Sequence, residues 1–276
     1  MRRDEIRHFR ETVLGHFDKH GRSFLWRLTT DPYEILVSEV MLQQTQTDRV
    51  AAYFPRFIAR FPDIATLAAA PLREVLALWQ GLGYNRRALF LKKCAEATLE
   101  RHGGILPDTI EALTALPGIG PYTARAVLTF AFNQPHLFIE TNIRAVYLHH
   151  FFPGQEKVND RELMPLIEST LDRDDPRRWY YALMDYGVHL KKNHPNPSRR
   201  SAHHAKQSRF EGSDRQIRGA ILRALAKATL TKKRLSAAAA LDLGKEAIDA
   251  TRFTKILGEL GAEGLVVKKG RSYLIP

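Results

Sequence analysis

Cysteine is nearly absent from this sequence of 276 residues, because Cys94 is the only one. A single cysteine excludes an internal disulfide and any cluster held by four cysteine ligands. Cys94 lies in the amphipathic segment LFLKKCAEATL, which favours a small buried residue over a catalytic nucleophile. His189, His194, His203 and His204 show no ligand spacing and have no carboxylates nearby, so we predict no metal site.

Long apolar runs are absent as well. No stretch of the sequence approaches the roughly 18 apolar residues of a membrane span. The N-terminal stretch MRRDEIRHFRE lacks the apolar core of a signal peptide. We therefore expect no membrane association and a cytoplasmic location.

Strand-like alternation is missing before about residue 264, and helical periodicity replaces it. The fold class predicted for the main part of the chain is therefore all-α. Prolines at helix starts and in the connections separate the segments. The predicted helices are 4–20, 32–45, 48–61, 64–69, 71–80, 84–102, 109–115, 121–132, one from about 142, 160–172 and 178–190.

Acidic residues are scarce in one part of the chain. Between Lys191 and Arg234 there are thirteen lysines and arginines but only Glu211 and Asp214 as acids, so this segment carries +11 of the net charge of +12. A basic run is usually just a solvated surface. Concentration on this scale instead favours a polyanionic partner, with nucleic acid the first candidate.

The segment LPGIGPYTARAV contains the most informative glycines of the sequence, Gly118 and Gly120. They interrupt an apolar helical pattern, and Pro121 suits the first turn of the helix that follows. The pattern predicts a helix, a tight turn and a second helix whose N-terminal N–H groups could bind a phosphate. An ordinary helix–helix turn is the alternative.

Three motifs occur in an order that is typical of one family: SEVMLQQTQT (Ser38–Thr47), LWQGLGYNRRA (Leu78–Ala88) and LPGIGPYTA (Leu116–Ala124). WYYALMDYG (Trp179–Gly187) is similar to the helix that closes the family domain. Over roughly residues 5–190 the chain resembles the helix–hairpin–helix DNA glycosylase superfamily (HhH-GPD), which includes endonuclease III and MutY-type adenine glycosylases. The resemblance implies two lobes, a six-helix lobe at about 28–134 and a second lobe of 1–27 plus 135–190.

The resemblance also implies catalytic residues. Glu39 lies in the apolar run YEILVSEVMLQ, and a desolvated carboxylate is a candidate general acid, here for protonating the departing base. A carboxylate on the solvent side of the helix is the alternative. Glu140 stands where the family has an aspartate that stabilises the cation-like sugar or activates water, and Asn142 matches an orienting asparagine. Tyr122 replaces the lysine with which endonuclease III forms a Schiff base, so a monofunctional enzyme without strand cleavage is expected.

A second set of residues is predicted to contact DNA. Gln43 and Gln44 could bind base edges and fill the gap left by an extruded base, with a polar helix end as the alternative. Tyr84 resembles a tyrosine that wedges into the duplex, with a buried core tyrosine as the alternative. The other predicted contacts come from the hairpin and from a basic turn near the C-terminus: Gly118, Gly120, Arg125, Lys269 and Arg271.

The last part of the sequence predicts a separate small domain at 213–276. Ser213 is the expected cap of its first helix, two further helices follow, and LVVKKGRSYLI predicts a hairpin with a basic turn. Three helices and a hairpin fit a winged-helix DNA-binding domain, which a basic linker at 191–212 would join to the main domain. MutY proteins usually carry a different, strand-rich domain at this point.

The combined prediction is a monofunctional DNA glycosylase of base excision repair. It would bind double-stranded DNA as a monomer, be associated with the nucleoid and use no cofactor, including no iron–sulfur cluster. Adenine in a mismatch is the first substrate to consider. Thymine or uracil opposite guanine, another damaged base, and a DNA-binding protein without catalysis are the alternatives.

Overall fold

The computed structural model describes residues 2–204 and 209–276, so residues 205–208 of the predicted linker lie outside the described residues. The described part of the chain is mostly helical. Its α-helices are α1 Arg3–His20, α2 Pro32–Leu42, α3 Thr47–Arg60, α4 Ile64–Ala69, α5 Leu72–Trp79, α6 Arg86–His102, α7 Ile110–Thr114, α8 Pro121–Phe132, α9 Thr141–Phe151, α10 Asp160–Thr170, α11 Pro176–Asn193, α12 Asp214–Lys227, α13 Lys232–Asp242 and α14 Ala250–Ala262. None of these helices is long and apolar enough to cross a bilayer.

The described residues form two compact units. The first unit comprises the described residues of Met1–Leu36, Asp108–Leu113 and Gly120–Lys206. The second comprises those of Val37–Pro107, Thr114–Ile119 and Gln207–Pro276.

The first unit is built on α11, which packs against α1 and α9. Aromatic side chains fill this core, since Tyr147, Trp179 and Tyr180 are fully buried. Asp185 on α11 is also buried, and its carboxylate accepts hydrogen bonds from the guanidinium groups of Arg22 and Arg27 at 2.8–2.9 Å. Burial alone would raise the pKa of Asp185, but the bonds and charges of the two arginines hold that pKa below its ordinary value.

The second unit joins α3–α6 to the C-terminal helices. Its largest buried side chains include Trp79, Phe57 and Phe61, whose rings meet edge to face. Helix α12 packs against α5, and Arg73 Nε donates to the Ala226 carbonyl at 2.6 Å. The C-terminal segment is therefore packed into this unit.

Three short strands complete the C-terminal segment: β1 Leu230–Thr231, β2 Val267–Lys269 and β3 Ser272–Leu274. Both pairings are antiparallel, in the order β1-β3-β2, with Tyr273 opposite Leu230 and Lys268. The predicted hairpin is confirmed. Strand β1 was not predicted, because two residues are too few to show an alternating pattern.

Two local predictions need correction. Helix α2 ends at Leu42, three residues before the predicted end, because Arg87 takes the carbonyls of its last turn and Gln44 adopts a left-handed φ of 55°. Ser213 stands at the N-cap position of α12 but does not cap it with its side chain. Its hydroxyl donates to the Phe210 carbonyl at 2.6 Å instead.

Candidate functional site

Glu39 lies in the second unit, on α2, between fully or nearly fully buried apolar residues. Its relative exposure is 7%, so the alternative of a solvent-facing carboxylate is wrong. An ionised carboxylate is costly at such a site unless partners satisfy it.

Gln43 and Gln44 form the turn that follows α2 rather than part of the helix itself. Gln43 is half-buried and Gln44 is exposed. The φ of 55° at Gln44 is unusual for a residue other than glycine. Such conformations persist only where the surroundings fix them, and they concentrate at functional sites.

Tyr84 closes a second turn and, like Gln44, has a left-handed backbone conformation. It is half-buried, not a core residue, and its φ is 49°. Two glycines precede it with positive φ, and at Gly81 a Cβ atom would lie 2.0 Å from the hydroxyl of Tyr53. Trp79 Nε1 donates to the Gly83 carbonyl at 3.1 Å. The positive φ values of Gly81 and Gly83 are what favour glycine in this turn, and at Gly81 a larger residue would also displace the Tyr53 hydroxyl.

Arg87 holds both turns in place. Its Nη1 donates to the carbonyls of Val40, Met41 and Gln43 at 2.6–2.9 Å. Its Nη2 donates to Thr45 Oγ1 and to the carbonyls of the second turn at 3.0–3.2 Å. Burial lowers the pKa of Arg87 to about 10, so the side chain stays charged at neutral pH. One cation therefore fixes both turns that carry predicted DNA contacts.

A pocket of about 420 Å³ lies in the second unit beside these turns. Gln43, Gln44 and Tyr84 line one part of it, and Arg215 and Arg218 of α12 line another. Gly118 lines it as well, so the structure brings together four predicted residues with two arginines that the sequence analysis did not select. Their position within the basic segment was the only available signal.

The hairpin glycine Gly118 lies in the same unit, with φ of 80°. A Cβ atom there would lie 2.6 Å from Cβ of Phe90, so no larger residue fits without a shift. In the first unit, Gly120 is the N-cap residue of α8 and Pro121 is its first residue, as predicted. Gly120 has no side chain with which to cap this helix.

Glu140, in the first unit, is the N-cap of α9. Its Oε1 accepts from the backbone N–H groups of Asn142 at 2.7 Å and Ile143 at 2.9 Å. Its Oε2 accepts from Asn142 Nδ2 at 3.2 Å. The longer glutamate arm therefore folds back onto its own helix, and the negative charge lies at the positive end of the helix dipole.

Asn142 connects this carboxylate to a lysine that the sequence analysis did not select. Lys191 Nζ on α11 donates to Asn142 Oδ1 at 2.9 Å. Burial lowers the pKa of the Lys191 ammonium, and the negative charge of Glu140 partly opposes this effect. The close approach of α11 to Asn142 on α9 needs Gly187, because a Cβ there would lie 2.3 Å from the Asn142 carbonyl oxygen. That glycine ends the WYYALMDYG motif.

Tyr122 and Arg125 lie on α8 in the first unit. The Tyr122 ring meets Phe138 edge to face at 5.7 Å between centroids. Phe138 stacks on Tyr180 at 4.0 Å, and Tyr180 Oη donates to the His136 carbonyl. Burial lowers the pKa of His136, and the positive charge of Arg125 adds to this shift.

The two predicted basic residues of the C-terminal hairpin are exposed at its tip. Lys269 ends β2 and Arg271 precedes β3, with Gly270 between them at a left-handed φ of 60°. Within residues 2–204 and 209–276, no group of three or more histidine, cysteine or acidic side chains is placed to hold a metal ion.

Comparison with known proteins places these features in a family. Residues 37–170 match the model of the HhH-GPD superfamily base excision DNA repair proteins. Adenine DNA glycosylase from Mycolicibacterium smegmatis is 31% identical over 234 residues, which cover 79% of this chain and 80% of that protein. The Buchnera aphidicola (strain Bp) enzyme of the same name is 36% identical over 192 residues, 67% of this chain.

Two further facts qualify this similarity. The chain spans only about half the length of several curated relatives that it matches, including 54% of the Buchnera protein. A solved thermostable thymine-DNA glycosylase is 28% identical, with a TM-score of 0.62 over 67% of this chain and 87% of that one. The resemblance inferred from the three motifs is thus confirmed, and the chain belongs to the HhH-GPD superfamily of base excision DNA repair proteins.

Proposed function

We propose that this protein is a DNA glycosylase that hydrolyses the N-glycosidic bond of adenine in a mismatch. The observation that carries the proposal is a buried acid, Glu39, on the helix that leads directly into the Gln43–Gln44 turn of the pocket. The similarity to adenine DNA glycosylases over most of the chain supports the same reaction.

The proposed mechanism divides the work between two carboxyl groups. A stacked base cannot be reached, so the nucleotide is flipped out, which costs a few kcal/mol. Glu39 donates a proton to the departing base as the bond from C1′ to the base nitrogen breaks. The carboxylate of Glu140 stabilises the positive charge that develops on the sugar, water adds its hydroxyl to C1′, and the proton of that water restores the acid form of Glu39. Asn142, fixed by Lys191, orients Glu140.

We infer that the enzyme leaves an abasic site without cutting the strand. Tyr122 stands at the motif position of the Schiff-base lysine, and a phenol cannot form an imine with the sugar. The single cysteine supports a reaction without an iron–sulfur cluster.

DNA binding is proposed to involve three surfaces. Gln43, Gln44 and Tyr84 would fill the gap left by the flipped nucleotide. The hairpin residues Gly118 and Gly120, with Arg125 on the following helix, would hold a backbone phosphate. The third surface is the C-terminal hairpin with Lys269 and Arg271.

We propose that residues 213–276 are a winged-helix domain, with 1–190 as the glycosylase domain and 191–212 as the basic link. The order helix, strand, helix, helix, strand, strand and the sheet order β1-β3-β2 support this assignment. The hairpin tip would serve as a basic wing that contacts phosphates of flanking DNA. The protein would act as a monomer on double-stranded DNA.

Base release from a panel of duplexes, followed by hot alkali, tests the proposal. The panel holds adenine opposite guanine or 8-oxoguanine, and thymine or uracil opposite guanine. We expect release of adenine, with strand cleavage only after alkali. Glu39→Gln should abolish release, whereas Glu34→Gln, which changes a carboxyl group on the same helix, should not. Equal loss in both variants would contradict the role of Glu39.

Thymine opposite guanine is the second candidate substrate, favoured by the likeness to the thymine-DNA glycosylase. Release of thymine without adenine would select it. Tight DNA binding without release of any base would instead support a protein that binds DNA without catalysis.

A further inference from the structure

The part of the 420 Å³ pocket that α12 lines carries chemistry that the proposed function has not yet used. Arg215 Nη1 donates to Tyr84 Oη at 2.8 Å, and the guanidinium lies 5.6 Å from the centre of the Tyr84 ring. The neighbouring Arg218 has its charge compensated by Glu263, with which it forms an ion pair, and by Glu259 at 3.5 Å. Arg215 thus contacts the predicted wedge residue Tyr84 directly.

The location of Arg215 indicates which group it would meet on DNA. If Gln43, Gln44 and Tyr84 fill the gap left by the flipped nucleotide, as the proposed function requires, the base that stays in the opposite strand lies beside them. Arg215 lines the same pocket as these three side chains. The orphaned opposite base is therefore the nearest nucleobase for its guanidinium.

The chemistry of the side chain selects among bases. A guanidinium presents N–H donors in a planar fork, and the commonest specific arginine contact with DNA is a bidentate bond to O6 and N7 of guanine. 8-Oxoguanine carries a hydrogen on N7 and so lacks one of these acceptors, and cytosine presents an amino donor instead.

We propose that Arg215 of α12 is a specificity-determining residue that recognises guanine opposite the excised base. The inference rests on the proposed function, because that function places the orphaned base at the pocket. It assigns to the C-terminal segment a role in reading the opposite strand, in addition to phosphate contacts. It also explains why α12 is packed beside the Tyr84 turn.

Binding to duplexes with a tetrahydrofuran abasic analogue tests the inference without needing base release. The position opposite the analogue carries guanine, 7-deazaguanine, 8-oxoguanine or cytosine, and affinity is measured by fluorescence anisotropy at fixed salt. We expect the wild-type protein to prefer guanine to 7-deazaguanine by roughly 10- to 150-fold, the range for one hydrogen bond to a charged group, because 7-deazaguanine keeps O6 and loses only the N7 acceptor. Arg215→Ala should remove the preference.

Two further variants make the result specific. Arg215→Lys keeps the charge but not the fork, so it should lose the preference while keeping most of the overall affinity. The unfolding midpoint of Arg215→Ala shows whether that variant folds. If it does not, loss of the guanine preference in Arg215→Lys tests the role of Arg215. Lys227→Ala removes an exposed cation from the same helix, outside the pocket, and should keep the preference.

Three results would overturn the inference: a wild-type protein without preference for guanine, a preference that survives in both Arg215 variants, or tighter binding of Arg215→Ala to every duplex. The last would mean that Arg215 holds Tyr84 away from DNA. Failure of the proposed function looks different, because base release would be missing while the guanine preference in binding remained.

Discussion

Glu140→Gln separates the structural role of Glu140 from its proposed chemical role. The amide oxygen of glutamine can still accept from the backbone N–H groups of Asn142 and Ile143, so the cap is kept. The change removes the negative charge from the N-terminus of α9, at a cost of about 0.3–1 kcal/mol. It also replaces the acceptor of the Asn142 side-chain amide, at about 0.5–1.5 kcal/mol. The expected loss of stability is therefore about 1–2 kcal/mol.

The expected loss of activity is larger. A carboxylate that stabilises the developing sugar cation acts in the transition state, and removing one such electrostatic group costs about 10²–10³ in rate. Single-turnover base release measures this rate, and thermal unfolding followed by circular dichroism measures stability. Glu140→Asp keeps both the charge and a favoured N-cap residue, so it should retain most of the activity.

Asp63→Asn is the matched control. Asp63 caps α4 by accepting from the Thr66 N–H at 2.7 Å, and this bond lowers the pKa of Asp63. Asparagine is also a favoured N-cap residue, so this variant loses only the charge at the start of α4, about 0.3–1 kcal/mol of stability, without loss of base release. If Glu140→Gln and Asp63→Asn released base equally fast, Glu140 would be a helix cap alone and the proposed mechanism would be refuted.

Three other predictions follow from single contacts. Asp185→Asn should cost about 3–5 kcal/mol because it removes the buried charge that pairs with Arg27, which is nearly buried, and with the partly exposed Arg22, against about 0.5 kcal/mol for the exposed Asp18→Asn. The folded pKa of Asp185 is depressed, so its stabilising effect is fully present above the unfolded pKa of about 3.9 and is lost as pH falls through the folded pKa. The unfolding midpoints of wild type and Asp185→Asn should therefore converge in acid. Equal midpoints at pH 7 would contradict this. Arg200→Ala should lower the unfolding midpoint and the exposed Arg199→Ala should not, because Arg200 bonds two carbonyls at the end of α9. Lys269→Ala should weaken binding to all duplexes and reduce the slope of log affinity against log salt by about one, whereas an unchanged slope would exclude a phosphate contact.

Local sequence signals predicted many of the helices well. Helix α8 begins and ends at the predicted residues because Pro121 fixes its first turn and Asn133, in a left-handed conformation, ends it. The C-terminal hairpin was predicted because Gly270 permits the tight turn. In these cases the signal lies within the element itself.

Contacts between distant residues could not be predicted in the same way. The end of α2 is set by Arg87, which lies more than forty residues further along the chain. Lys191 and Arg215 act through partners 49 and 131 residues away. A basic residue in a basic segment gives no sign of which cation is buried against a functional side chain and which is merely solvated.

The segment after α11 makes stabilising hydrogen bonds to distant residues that the sequence could not predict. The sequence predicts residues 191–212 only as a basic link between two domains. In the structure, Ser198 Oγ donates to the Thr141 carbonyl at the start of α9, while Arg200 bonds carbonyls at its end. Val158 and the link also exchange backbone hydrogen bonds, from Val158 N–H to the Arg200 carbonyl and from the Ala202 N–H to the Val158 carbonyl. The link thus contacts both ends of the helix that Glu140 caps, so hydrogen bonds from the link help to hold the helix that carries the proposed catalytic carboxylate.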